Sequence, residues 1–273
     1  MGDILRMRRR EFLIEILTPL AVGLGVGTHA HSGEKRPIGN EFIEETGLTL
    51  SDALRTIFRF RRRPPLYKHY PGSQQITLPE PDLPTVDFFG ALRARRSVRD
   101  YSRSPLELAK LSALLHAASG ITGDLDGYPL RAAPSAGALY PIEIYLLAHN
   151  VDRMQPGLYH YSVERHALDL LAVGDYRNEA TSGCLSQEMA GDAAVTFVLS
   201  AIFARVCWKY GERGYRYALI EAGHIGQNIY LAATCLQLGC VAIGAFLDKN
   251  MNATVGTDGV EEAVIYCLAV GKR

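Results

Sequence analysis

Residues 208–228 read WKYGERGYRYALIEAGHIGQN. The chain's only tryptophan is followed at once by Lys209 and Tyr210, then by two glycines and two more tyrosines. Apolar residues then recur at helical spacing. Leu219, Ile220, Ala222, Ile225, Ile229, Ala232 and Ala233 predict one long helix over Gly214–Leu238. Such a helix needs a broad apolar surface to lie on, and the flanking sequence supplies strands. Ala193–Ala201 is a near-continuous apolar run of strand length, and Val241–Phe246 and Ala263–Val270 read the same way. Ile142–Ala148 alternates, and Gly157–Tyr161 with Ala167–Val173 reads as a hairpin. Further helices are expected over Val86–Ala94, from a Ser104 cap with Pro105 in the first turn to about Ala118, and over Tyr176–Met189. Strands and helices mix without a regular βαβ repeat. That predicts an α+β layered fold rather than a doubly wound one.

The 273 residues are 48% hydrophobic and 21% charged, enough for one sizeable core. Formal net charge is zero, so nothing calls for nucleic acid or an anionic membrane as partner. The five cysteines form no C-x-x-C pair and read as reduced core residues, not a disulfide or metal set.

The first 30 residues differ in kind. Arg8-Arg9-Arg10-Glu11-Phe12-Leu13 leads into an apolar stretch from Ile14 to Gly27 that ends in small residues. This is the pattern of an export signal, and the arginines before Phe-Leu resemble the twin-arginine type. The expectation is a protein exported folded, periplasmic or otherwise outside the cytoplasm, with no membrane span in the mature chain. The alternative is an uncleaved basic helix on a cytoplasmic or membrane-tethered protein. Residues 31–84 read as a polar lead, a helix over Glu41–Phe60 stopped by Arg61-Arg62-Arg63-Pro64-Pro65, and an extended arm from Leu66 to Pro84. Such an arm often wraps a partner subunit or guards a site. The main domain is expected over 85–273.

Four stretches carry possible chemistry. Arg95, Arg96, Ser97 and Arg99 place three guanidiniums and a hydroxyl within five residues, a phosphate-binding set if not a solvated basic turn. Pro134, Ser135, Ala136, Gly137 and Ala138 leave backbone N–H groups bare before a strand, suited to the edge of a flat ring or to tight packing. Ala242, Ile243 and Gly244 form a glycine-bounded strand that a ligand could approach closely. Lys272 and Arg273 could close on a phosphate or lie free as a tail. Glu221-x-x-His224 is half of a di-iron helix pattern without a second copy.

Taken in order, RRSVRDYS, APSAGALYPIEIYL, GLYHYS, WKYGERGYRYALIEAGHIGQN, VAIGAF and AVGKR resemble the nitroreductase superfamily over about residues 60–273. More narrowly, they resemble its SagB-type, thiazole/oxazole-oxidase branch. The resemblance implies an FMN-binding α+β fold with a mixed, mostly antiparallel sheet flanked by helices, in an interlocked homodimer. It implies that Arg95, Arg96, Ser97 and Arg99 grip the FMN phosphate and ribityl chain, and that Pro134–Ala138 lies at the flavin of the other subunit. It further implies that Ala242, Ile243 and Gly244 flank the isoalloxazine, with Lys272 and Arg273 near the phosphate. Lys209-Tyr210 matches the pair that azoline-oxidising members need. Oxidising an azoline to an azole removes a hydride to flavin N5 and a proton to a base. A lysine serves as base when desolvated, and a tyrosine can relay or orient. Packing by Trp208 and Tyr210, with Lys209 in solvent, is the plainer account.

The implied function is an FMN-dependent oxidoreductase acting on a small molecule or a modified peptide. Two readings stand beside azoline oxidation: a nitro- or quinone reductase, and a non-catalytic flavin-fold scaffold of a peptide-modifying complex. An exported enzyme has no NAD(P)H pool, which favours a quinone, oxygen or a redox partner for electron exchange.

Overall fold

The structure, a computed structural model, describes residues 37–47 and 62–273. The expected export signal and most of the helix expected over Glu41–Phe60 lie outside the described residues. The chain divides into two units, Met1–Phe42 and Ile43–Arg273. A two-turn helix, α1, spans Ile38–Glu45.

The larger unit is built on a seven-stranded sheet in the order β1-β6-β5-β4-β7-β9-β8. Its strands are β1 (Gln74–Thr77), β4 (Ile142–Ala148), β5 (Gly157–Ser162), β6 (Ala167–Val173), β7 (Val195–Ile202), β8 (Leu238–Ile243) and β9 (Glu262–Lys272). β2 (Ile121–Leu125) and β3 (Tyr128–Arg131) form a separate hairpin. Every pairing in the main sheet is antiparallel. Among the described residues the parallel component is confined to a bridge between Leu106 and Val151.

Helices cover both faces. α3 (Leu108–Ser119), α6 (Phe203–Tyr210) and α7 (Arg213–Cys235) supply residues to one core, and α4 (Arg177–Gly183), α5 (Met189–Asp192) and α8 (Asp248–Val255) to the other. α2 is Phe88–Ala94. The strand period of two sorts side chains between these layers. Ile142, Ile144, Leu146 and Ala148 of β4 enter the first core, while Tyr145 and Leu147 enter the second. Along α7, Ala218, Ala222, Ile225, Ile229 and Ala233 recur at helical spacing and are buried. Each fully buried isoleucine there contributes roughly 1.5–3 kcal/mol.

Several expected boundaries move. The helix expected from Ser104 begins at Leu108, because Leu106 is committed elsewhere: its N–H donates to the Asn150 carbonyl and its carbonyl accepts from Asp152. The helix expected over Tyr176–Met189 is two short helices, broken where Leu185 and Ser186 take positive φ. Leu219 and Ile220, expected on the buried face of α7, are 48% and 54% exposed. The β2–β3 hairpin and α8 were not anticipated. Residues 74–77, assigned from sequence to the extended arm, form the edge strand of the sheet. The arm lies on its own chain: Lys68 Nζ reaches Glu262 Oε2 at 2.5 Å and Tyr145 Oη at 2.7 Å. No helix among the described residues is long and apolar enough to cross a membrane.

Candidate active site

Lys209 and Tyr210 are the last two residues of α6. Gly211 follows with φ 59° and ψ −145°, a conformation open essentially to glycine, and turns the chain into α7. The Tyr210 ring meets Tyr217 edge-on at 5.0 Å, and Lys209 Nζ lies 5.3 Å from the Tyr210 ring centre. Opposite stands the 134–141 loop. Gly137 has φ +63°, and a Cβ placed on it would lie 2.8 Å from Tyr210 Oη and 3.1 Å from Lys209 Nζ. Thus the fold brings Lys209 and Tyr210 against the loop formed by Pro134, Ser135, Ala136, Gly137 and Ala138. Ala138 and Tyr140 also take positive φ, 49° and 45°. Left-handed backbone at non-glycine residues costs roughly 1–2 kcal/mol each, so this loop is held in place from outside.

The clamps are visible. Ser135 Oγ accepts from the Tyr140 N–H at 2.9 Å. Arg205, 3% exposed, donates to the Tyr140 carbonyl at 3.0 Å, the Pro65 carbonyl at 2.8 Å and Glu143 Oε1 at 2.6 Å. His160 Nε2 meets Glu143 Oε2 at 2.6 Å. Burial alone would raise the Glu143 carboxyl, but the bonds and charges of His160 and Arg205 bring it down to about 2. Glu221, from α7, is buried near Ser135, Arg131 and Arg205, and burial lifts its carboxyl to about 7. Its place in the site was missed from sequence. His224, three residues on, is exposed, so the two do not converge on one centre. Among the described residues no cluster of His, Cys, Asp or Glu could hold a metal ion.

A second group of expected residues assembles at the other end of α7. The Val98 N–H donates to the Cys240 carbonyl at 2.9 Å, which lays the 95–99 segment beside β8. Tyr230 joins the parts. Its Oη accepts from the Ala242 N–H at 2.7 Å and lies 3.0 Å from Ser97 Oγ, while the Arg95 guanidinium sits 5.1 Å over its ring. Tyr230 was read as part of an apolar helix, yet a hydroxyl-bearing residue on a helix that packs on a strand could have marked it. Ile243 is buried, whereas Gly244 is exposed with no described atom within 4 Å of where its Cβ would stand. Arg99 is exposed, and Arg96 turns back onto the carbonyls of Arg93 and Arg95 at 2.8 and 2.7 Å. Lys272 Nζ pairs with Glu107 Oε1 at 2.7 Å, and Arg273 is exposed.

The two groups are not brought together within one chain. Tyr217, against Tyr210, and Tyr230, against Ser97, are 13 positions apart on α7, about 20 Å along its axis.

Residues 92–272 match the Nitroreductase family. The chain belongs to the nitroreductase family. It is accordingly an oxidoreductase. This nitroreductase is 36% identical over 193 residues to a protein of Methanocaldococcus jannaschii named as a nitroreductase, covering 71% of this chain and 94% of that one. It is 27% identical over 224 residues to the microcin B17-processing protein McbC of Escherichia coli, covering 80% of this chain and 79% of McbC. That relative supports the SagB-type, thiazole/oxazole-oxidase branch indicated by the motifs. Among solved structures, a nitroreductase-family protein of Ralstonia eutropha superposes with TM-score 0.63 at 27% identity, covering 78% of this chain and 95% of that chain. One from Anabaena variabilis gives TM-score 0.68 at 27% identity over 86% of this chain, which spans only 46% of the Anabaena chain.

Proposed function

We propose that this nitroreductase is an FMN-dependent dehydrogenase of the SagB type that oxidises azoline rings to azoles, with Lys209 and Tyr210 taking up the proton. The observation that carries the reading is the convergence of Lys209 Nζ and Tyr210 Oη on Gly137. A lysine and a phenol meet there at a loop whose backbone is held in an unfavourable conformation, as reactive sites often are.

The residues fit a flavin mononucleotide. The half-buried Arg95 and the exposed Ser97 hydroxyl offer donors for a phosphate and a polyol chain, and the bare backbone at Gly244 admits the edge of a planar ring. Bound there, FMN supplies a two-electron acceptor for hydride. The protein's own task is proton management. Lys209 takes the proton that leaves the carbon next to the hydride donor, and Tyr210 orients or relays it. Lys209 is exposed in the single chain, and an amine becomes an effective base when substrate or a second subunit covers it.

The reading includes a homodimer, which the separation along α7 supports. A second copy would set the Lys209–Tyr210 loop of one subunit against the Arg95–Ser97–Gly244 group of the other. The exposed Leu219, Ile220, Phe88 and Phe89 offer apolar surface for it.

The exposure of Lys209 favours a second reading, reduction of a nitro or quinone substrate, in which no base is required. Two measurements decide. The purified protein should show a flavin spectrum and release FMN; a colourless protein that takes up no added FMN would move the scaffold reading to first place. Azoline oxidation should fall by roughly 10²–10⁴ in Lys209→Ala; unchanged oxidation refutes the base assignment, and steady turnover with NAD(P)H supports the reductase. Export remains the reading of residues 1–30. A fusion of residues 1–35 to a folded reporter should leave the cytoplasm, and replacing Arg9 and Arg10 by lysine should retain it.

A further inference from the structure

The β2–β3 hairpin stands apart from the main sheet and turns its apolar face outward. Leu125 pairs with Tyr128 and Gly123 with Leu130, so these four positions share one face. That face is open: Leu125, Tyr128 and Leu130 are 62%, 53% and 38% exposed. Asp124 and Pro129 take the other face. A lone two-stranded hairpin is marginally stable, and apolar side chains in water add nothing to it. This one is held from both ends. At the tip, Asp126 and Gly127 take positive φ, 53° and 82°, a tight turn that matches the twist of the strands. Asp124 Oδ1 accepts the Gly127 N–H at 2.8 Å.

Two residues join the hairpin to the turn that carries Gly137. Tyr140 Oη donates to the Pro129 carbonyl at 3.1 Å and accepts the Arg131 N–H at 3.2 Å. Arg63, at the start of the arm, lies 5.7 Å from the Tyr128 ring centre and donates from Nη2 to the Ala138 carbonyl at 3.2 Å. Ala138 adjoins Gly137, on which Lys209 and Tyr210 converge. Arg63 is half-buried and pairs with no carboxylate among the described residues. A guanidinium carries five N–H donors in a planar fork that fits a carboxylate, and the Ala138 carbonyl takes one of them.

The geometry points to the β2–β3 face and Arg63 as the wall that selects the substrate: an azoline carboxylic acid, its carboxylate on Arg63 and an apolar substituent against Leu125, Tyr128 and Leu130. This rests on the reading that Lys209 and Tyr210 act on an azoline. It adds the groups that the ring must bear. Substrate is the occupant because this face is continuous with the Gly137 turn and has a cation of its own. The apolar surface offered to a second copy lies elsewhere, on α2 and α7.

The test uses the FMN-loaded full-length protein with 2-phenylthiazoline-4-carboxylate as substrate. The corresponding azole, 2-phenylthiazole-4-carboxylate, serves as a calorimetric binding probe. Each carboxylate should be preferred over its carboxamide by about 10- to 100-fold, in kcat/KM for the thiazoline and in Kd for the azole. Arg63→Gln should bring acid and amide level, and Arg63→Lys should restore part of the preference. The 2-phenyl compound should be preferred over the 2-methyl one by about tenfold, and Leu125→Ser with Leu130→Ser should erase that preference. Both leucines are exposed, so the double variant should keep the wild-type unfolding temperature. Equal binding of acid and amide by the wild type overturns the proposal. So does an Arg63→Gln protein that is slower on both but keeps their ratio, since Arg63 would then be only a strut of the loop. So does a wild-type dimer that falls to monomers when the two leucines are replaced, which would give the face to a second copy. Failure of the functional reading looks different: the azole would bind with the same dependence on Arg63 and the leucines, while the thiazoline would not be oxidised.

Discussion

Gly137 and Tyr210 are packed so closely that a single added methyl on Gly137 would stand 2.8 Å from the Tyr210 hydroxyl. The contact joins a strained loop before β4 to the end of α6. It makes Gly137 a sensitive test of the site, because the obstructing atoms are the far ends of two flexible side chains.

Gly137→Ala should therefore cost little in stability and much in activity. Left-handed backbone penalises alanine by roughly 1–2 kcal/mol, and the clash is relieved by displacing Lys209 Nζ and Tyr210 Oη. Thermal unfolding should fall by a few degrees, while turnover falls at least about tenfold. Loss of both in equal measure would point to a collapsed loop.

Tyr230→Phe removes the hydroxyl that Ala242 and Ser97 share. The Ala242 N–H loses its acceptor, at a cost of roughly 1–3 kcal/mol if water cannot replace it. On the proposed function, FMN should bind about tenfold more weakly in a fluorescence titration, since Arg95, Ser97 and β8 lose their common anchor. Unchanged FMN retention would place the cofactor elsewhere.

The two buried glutamates push pH stability in opposite directions. Glu221 has its folded carboxyl raised to about 7 from an ordinary 4.5. The unfolded chain releases that proton first, so this contribution is present below about 4.5 and is lost as pH rises through about 7. Glu221→Gln should thus gain over wild type as pH rises, from about 1 kcal/mol or less at pH 5 to on the order of 3 kcal/mol at pH 8, measured by urea unfolding. Glu143 is depressed to about 2, so its contribution is present above the ordinary 4.5 and is lost as pH falls toward about 2. Arg205→Met, which strands this carboxylate, should cost roughly 3–5 kcal/mol at neutral pH and progressively less in acid.

Ile220→Glu tests the proposed dimer. Ile220 is 54% exposed, so the change should leave the fold of the single chain intact. Sedimentation should report monomers, and FMN should be lost with the second subunit. A dimer that persists with full FMN would place the interface off this face of α7.

The sequence determined the layers of this protein and the local identity of its reactive pieces. Alternation marked β4, near-continuous apolar runs marked β7 and β9, and a period of 3.6 marked α7, because burial on a sheet or helix face writes itself into neighbouring residues. The motifs carrying Lys209-Tyr210 and Pro134–Ala138 were legible for the same reason: they are contiguous. What the tertiary structure decided is which of these pieces meet. Leu106 was drawn out of its expected helix by a bridge to Val151, a contact set by distant backbone groups rather than by local propensity. Glu221 and Tyr230 looked like ordinary members of a helix until the fold placed one behind Ser135 and the other between Ser97 and Ala242. Local pattern records which face of a helix is buried. Only the packed chain records what each buried polar atom faces, because desolvation and hydrogen bonding are settled by groups far away in sequence.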